Sequence, residues 1–272
     1  MVILLSPYGQ RSNNLFQHVH IDSYCRNNGV YFYNSYIYKF RKDYPNIGKP
    51  NIFLDLILKF KVLQILYRLK LIKYIDFIDV ACNDKYKAAV LKYPVLSCEG
   101  WFLWSNTTVA KYRKFYQHVF NPVVDKTRLQ ARFLSRETQD MKIVGVHIRR
   151  GDYMEHENGK YFFDDVVYSD KMLQLVAQLG ENTKFLLFTN DDALNKKLYQ
   201  KAFINVLFSD CSPIEDHYLM SQCDYLIGPP TTFNMWASYM GDVPLYHIYE
   251  ANATILLEHF EILHSNIAAL TN

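Results

Sequence analysis

Apolar residues in the second half of the chain come in short runs separated by amphipathic stretches. Residues 142–148 (KIVGVHI) are apolar and β-branched, and too few for a buried helix; they predict a strand covered on both faces. Residues 184–189 (KFLLFT), 206–208, 225–227 and 244–249 repeat the pattern. Between these runs the spacing turns helical. Residues 169–179 predict a helix stopped by Gly180, and residues 192–202 a second. Residues 213–223 open with Ser212-Pro213, a helix-start signal, and residues 231–239 follow Gly228-Pro229-Pro230. Strands alternating with helices predict an α/β class and a doubly wound, Rossmann-like parallel sheet.

The first half is less regular. Residues 2–5 predict a strand, 13–28 a helix and 30–33 a second strand. Residues 53–74 read as one long helix, and residues 107–120 and 126–136 as two more. The whole predicts two α/β lobes with a cleft between them. Composition and charge switch near residues 136–141, which puts the lobes at 1–137 and 138–272.

The formal net charge of +3 hides that switch. Residues 1–136 hold 21 Lys and Arg against 8 Asp and Glu, whereas residues 137–272 hold 9 against 19. Two halves of opposite sign point to different partners. The basic half lacks a nucleic-acid-binding motif, and the acidic half repels a phosphate backbone, which argues against nucleic acid. At 50% hydrophobic and 16% aromatic, the chain is not a disordered one. The apolar run at Met1–Leu5 is ended by Pro7 and Gly9 and reads as a strand, not a secretory leader. No stretch approaches the ~18 apolar residues that cross a bilayer. The five cysteines are odd in number and show no Cys-x-x-Cys spacing, so they read as free thiols in a reducing, cytoplasmic setting.

In open α/β sheets, ligands bind beyond the carboxyl ends of the strands. His147 ends a predicted strand, and Arg149-Arg150-Gly151-Asp152 follows it. Guanidinium forks match phosphate oxygens bidentately, and Gly151 allows a sharp turn or a close approach. Asp152 orients an arginine or holds the loop; the plainer reading is an Arg–Asp pair on a surface turn. Thr231, Thr232 and Phe233 open a helix after another strand, where the threonines cap the helix and its dipole attracts an anion. Capping alone also accounts for them. Asp191 and Asp210 sit at two further strand ends, placed either to accept from a ribose or base or to cap a helix. No P-loop, Gly-x-Gly-x-x-Gly or Asp-x-Asp triplet occurs. Neither a metal nor a bound cofactor is therefore expected, and arginines and helix dipoles would neutralise a leaving diphosphate.

Residues 144–153 (VGVHIRRGDY) resemble the HxRRGDY motif of family 11 α-1,2-fucosyltransferases. The likeness extends to residues 215–223 (EDHYLMSQC), residues 227–236, and the N-terminal GQRSNNLFQ at residues 9–17. It implies a GT-B architecture with the donor site in the cleft between two Rossmann-like lobes, GDP-fucose as donor, and metal-independent inversion. By position, Arg149 would bind the β-phosphate; Thr231, Thr232 and Phe233 would line the diphosphate and nucleoside pocket; and Asn13 would face the donor from the N-terminal lobe. Pro230 replaces the family's Asn, which bears on donor-sugar identity more than on the nucleotide.

The expected reaction is transfer of fucose to a sugar hydroxyl of a glycan, in surface polysaccharide or lipopolysaccharide biosynthesis. His147 shapes the loop or takes the acceptor's proton, Asp152 holds the loop or serves as that base, and His18, one turn from Asn14, faces either the cleft or solvent. A different nucleotide sugar, or a GDP- or sugar-binding protein without turnover, are the other readings. Residues 59–73 alternate cationic and apolar side chains at helical spacing. Such a helix lies on an anionic membrane at the inner face of the cell, or packs on the core with a basic outer side.

Overall fold

The computed structural model describes residues 1–59 and 62–262. The chain divides into unit 1, Met1–Val123, and unit 2, Val124–Asn272.

Unit 1 carries a parallel four-stranded sheet. Its elements run β1 (Val2–Leu4), α1 (Arg11–Asn27), β2 (Phe32–Asn34), α2 (Ile52–Lys59), α3 (Val62–Arg68), β3 (Lys73–Phe77), α4 (Asn83–Lys92), β4 (Leu96–Gly100), α5 (Asn106–Lys111) and α6 (Arg113–Val119). The strand order is β2-β1-β4-β3. The expected single helix over residues 53–74 is instead α2, α3 and a strand, with residues 60 and 61 outside the described residues. Lys70 takes a left-handed φ of 59°, which ends the helical run. The residues after Ile72 then pair with β4 in register, Lys73 with Leu96 through Phe77 with Gly100.

Unit 2 comprises α7 (Lys126–Phe133), β5 (Ile143–Ile148), α8 (Asp165–Leu179), β6 (Lys184–Thr189), α9 (Lys196–Ala202), β7 (Val206–Phe208), α10 (Pro213–Met220), β8 (Tyr225–Gly228), α11 (Thr232–Gly241) and β9 (Leu245–His247). All five strands are parallel, in the order β7-β6-β5-β8-β9, so the sheet reverses direction between β5 and β8. Every residue of β5 is buried. Val144, Val146, Ile148, Phe185, Leu187 and Ile227 join Tyr168, Met172 and Leu175 of α8 in one core. The division falls at residues 123/124 rather than 137/138 because α7 belongs with unit 2. There Arg128 pairs with Glu215, Arg132 with Asp210 at 2.7 Å, and Gln130 donates to the Tyr218 hydroxyl at 3.0 Å. Charge switches along the sequence later than packing does.

All five cysteines are free thiols. Among the described residues no helix is long and apolar enough to cross a membrane.

Among the buried histidines are His20 in α1, and His147 and His247 at the ends of β5 and β9. Burial lowers each from 6.5 to about 3; the charge of Lys87 adds to the effect at His20, and those of Arg149 and His247 at His147. All three are therefore neutral in the folded chain. As pH falls below 6.5 the unfolded chain binds protons the folded chain does not, so this stability is present above pH 6.5 and lost on acidification. Asp216 acts oppositely: burial raises its carboxyl from 3.8 to about 7, so its contribution grows as pH falls through that window. Three histidines, to which His18 adds in the same direction, leave against one carboxyl a net loss of about 3 kcal/mol or more between pH 7.5 and 5. Thermal unfolding across that range should show a falling melting temperature; a flat or rising profile would contradict neutral burial.

Candidate active site at the carboxyl ends of unit 2

In an open α/β sheet the ligand crevice lies where the strand order reverses, here at the carboxyl ends of β5 and β8, and the expected chemistry centres there. Gly228 makes the approach possible. A Cβ on it would lie 2.7 Å from the His147 carbonyl oxygen and 3.0 Å from Asn234 Nδ2, and backbone cannot yield there. With β8 that close, Thr231 Oγ1 comes within 3.4 Å of His147 Nδ1 and accepts from the Asn234 amide at 3.2 Å, capping α11. Asn234 Nδ2 donates to the Pro229 carbonyl at 2.8 Å. Its Oδ1 lies 3.2 Å from His247 Nε2. The Phe233 ring sits 3.9 Å from His217 in a stack and 5.1 Å from His147. The start of α11 is thus fixed by two neutral imidazoles and an amide, with its positive dipole end at the crevice.

The two adjacent arginines diverge. Arg150 is nearly buried, its side chain 11% exposed. Its guanidinium pairs with Asp165 at 2.5 Å and Asp191 at 3.0 Å, and its Nε donates to the Phe163 carbonyl. The Tyr199 hydroxyl adds a bond to Asp165. The fork of Arg150 is therefore committed to two carboxylates, and the phosphate grip expected of it is not available in this arrangement. Asp191, expected at a ribose or base or as a cap of the next helix, is held the same way and accepts from the Ala193 amide in a local turn, while Asn195 caps α9. Asn190 accepts from the Arg150 amide at 3.1 Å, tying the end of β5 to the end of β6.

Arg149 differs. Its ion pair is with Asp152, at 2.7 Å, and that carboxylate is 57% exposed. Its guanidinium lies 5.8 Å from the Tyr153 ring. Tyr153 is buried and donates to the Pro230 carbonyl at 2.8 Å, joining the Arg-Gly-Asp turn to the entry of α11. A surface pair of this kind is worth under about 1 kcal/mol, so a phosphate displaces Asp152 at little cost.

The remaining expectations scatter. Asp210 is largely exposed and pairs with Arg132, which holds its carboxyl below the usual range. Thr232 and Phe233 are half-buried on the first turn of α11. Asn13 lies on the first turn of α1 in unit 1, against Gly9, whose φ is +58°. His18 is half-buried: its ring packs against Phe32 at 5.5 Å and Phe120 at 5.9 Å, and burial lowers its pKa.

Sequence reasoning passed over His247, Asn234 and Asp216. A second histidine at a strand end, echoing His147, was the available signal for His247. Asp216 and Asn234 lie in two of the resembling segments, but their partners, the Ser209 hydroxyl and His247, are brought to them only by the fold. In unit 1, Tyr8 stacks on Trp101 at 5.0 Å beyond the ends of β1 and β4, and Asp76 and Glu99 are register partners on β3 and β4.

Known proteins bear out the likeness. Galactoside alpha-(1,2)-fucosyltransferase 2 of Mus musculus is 31% identical over 126 residues, covering 43% of this chain and 35% of that protein. Its Pongo pygmaeus counterpart is 28% identical over 160 residues, covering 52% and 46%. The matches thus span less than half the length of these relatives. A mutant of Arabidopsis thaliana FUT1, solved in complex with GDP, aligns over 95% of this chain and 72% of its own with a TM-score of 0.61 at 12% identity. POFUT1 in complex with GDP aligns over 89% and 94% with a TM-score of 0.51 at 9% identity. At such identities the likeness is one of fold, and it is GT-B-like. The family model of glycosyl transferase family 11 matches residues 102–261, more than half of the chain and all of the crevice just described, and the chain belongs to that family.

Proposed function

We propose that this chain transfers fucose from GDP-fucose to a sugar hydroxyl of a glycan, with inversion and in α-1,2 linkage, in building a surface polysaccharide or lipopolysaccharide. The observation that carries the reading is Arg149: a guanidinium past the end of β5, at the sheet reversal, held by one exposed carboxylate. The chain's likeness to galactoside alpha-(1,2)-fucosyltransferases supports the sugar and the linkage, and the GDP held by FUT1 supports the nucleotide.

In the proposed reaction the acceptor oxygen attacks the anomeric carbon. The bond from that carbon to the β-phosphate oxygen breaks, GDP departs with the electron pair, and the acceptor hydroxyl gives up its proton. Arg149 and the N-terminal dipole of α11 stabilise the charge that grows on the diphosphate. His147, neutral down to about pH 3, positions Thr231 rather than carrying a proton. Asp152 holds Arg149 in place until phosphate arrives. Positive charge from the protein takes the place of a divalent metal in this scheme, so transfer should persist in EDTA.

A thermal-shift comparison of GDP, UDP, CMP and GDP-fucose tests the donor. A guanine nucleotide at a hundred times its Kd should stabilise the chain by ~2.7 kcal/mol while the others leave it unmoved. An equal response to UDP would point to another nucleotide sugar. GDP stabilisation without transfer to any glycan would make the chain a binding protein.

The adjacent arginines separate function from stability. Arg149→Ala should lower transfer by 10²- to 10³-fold at an unchanged melting temperature, the loss expected for one well-placed donor to a developing oxyanion. Near-normal turnover in this variant would remove the assignment. Arg150→Ala leaves Asp165 and Asp191 uncompensated, and should cost about 3 kcal/mol of stability, at the low end because the cluster retains some solvent contact. Urea unfolding of the two variants side by side distinguishes them.

A further inference from the structure

One surface of unit 1 is left unexplained by the reaction. On α2 and α3, the side toward the sheet is filled: Leu54 is buried on Ile3 and Tyr33, and Ile57, Leu58, Leu66 and Ile72 pack around them. The other side presents large apolar side chains to solvent. Ile52 is 73% exposed, Phe53 70%, Leu69 62% and Leu71 67%, with Leu56 and Ile65 also exposed. Single exposed apolar residues are ordinary; this many within twenty positions are not.

The charges around them are of one sign. Between Asp43 and Asp76 the sequence holds six lysines and arginines and a single acid, Asp55. Asp55 is turned to the sheet, where it accepts from the Tyr33 hydroxyl. Lys59, Arg68, Lys70 and Lys73 are all exposed. Beside Leu71 an open pocket of about 290 Å³ is lined by Lys70, Lys73, Tyr67 and Tyr93, with Lys73 Nζ 5.9 Å from the Tyr93 ring centre. Two ammonium groups and two phenols in a recess of that size suit a phosphate-bearing head group.

We propose that this surface docks the protein on an anionic lipid bilayer. A second copy of the chain would bring the same cations against these, which disfavours self-association. A polyanion such as nucleic acid would satisfy the cations and leave the apolar side chains in water. An anionic bilayer satisfies both: its head groups meet the lysines and its acyl boundary takes the apolar side chains. The inference concerns binding and does not depend on the donor or the reaction. It also replaces the single amphipathic helix read from the sequence with two short helices and a turn.

The test is flotation of the full chain, without donor, on vesicles of phosphatidylcholine alone or with 30 mol% phosphatidylglycerol. The chain should float with the anionic vesicles at least tenfold more than with the neutral ones, and less at 0.5 M salt, as screening requires. Two double variants, Phe53→Ser with Leu69→Ser and Lys70→Glu with Lys73→Glu, should each lower the bound fraction at least tenfold. Both should keep the parent melting temperature and the parent activity on a free, soluble acceptor. Equal recovery in the soluble fraction with both vesicle types overturns the proposal, as does undiminished flotation of both variants. A lipid-free dimer that Phe53→Ser dissolves would assign the face to a second copy and overturn it as well.

Discussion

A parallel sheet covered on both faces leaves only the ends of its strands for polar chemistry, and the candidate site follows from that constraint. In unit 2 every side chain of β5 is buried, so the first place its chain can present charge is past Ile148. The strand order reverses between β5 and β8, the place in an open α/β sheet where ligands bind beyond the strand ends. Gly228 then sets the spacing. Because it lacks a Cβ, β8 comes up against the His147 carbonyl, and the capped end of α11 is fixed relative to the Arg149 turn. Strand burial, histidine neutrality and the placement of one arginine are consequences of the same geometry.

Arg149 and Arg150 show how neighbouring residues of one type come to do different work. They leave the strand in opposite directions. One meets the carboxylates of Asp165 and Asp191 on α8 and the loop after β6, and becomes part of the scaffold. The other pairs with Asp152, three residues on and open to water. A strongly held cation anchors the turn; a weakly held one is available to a ligand. The scaffold arginine thereby fixes the direction from which the other must approach.

The sheet of unit 2 was legible in the sequence because its strands are continuous apolar runs of the right length, and residues 184–189 and 206–208 match β6 and β7 at both ends. β3 and β4 were not, since KYIDF and LSCEG are broken by polar or small residues and lack such a run. The false helix over residues 53–74 came from apolar spacing that suits two short helices equally well, and no local signal marked the left-handed turn at Lys70. Within the site, the strand-end position of Arg149 was legible. Its difference from Arg150 was not, because that depends on Asp165 and Asp191, which the fold alone brings to the strand. Likewise α7 carries the charge of the first half but belongs by packing to the second.

The connectivity of the first sheet bears on how the chain is made. β1 lies between β2 and β4, with Val2 opposite both Phe32 and Leu96. The first strand of this sheet to be synthesised therefore waits for one made nearly a hundred residues later. At roughly 5–20 residues per second, that interval lasts from several seconds to about twenty. Throughout it Val2, Ile3 and Leu4 have an unpaired edge, the arrangement most prone to pair with another chain. A three-residue strand keeps that hazard small. The shortness of β1 is thus as much a feature of synthesis as of the finished fold.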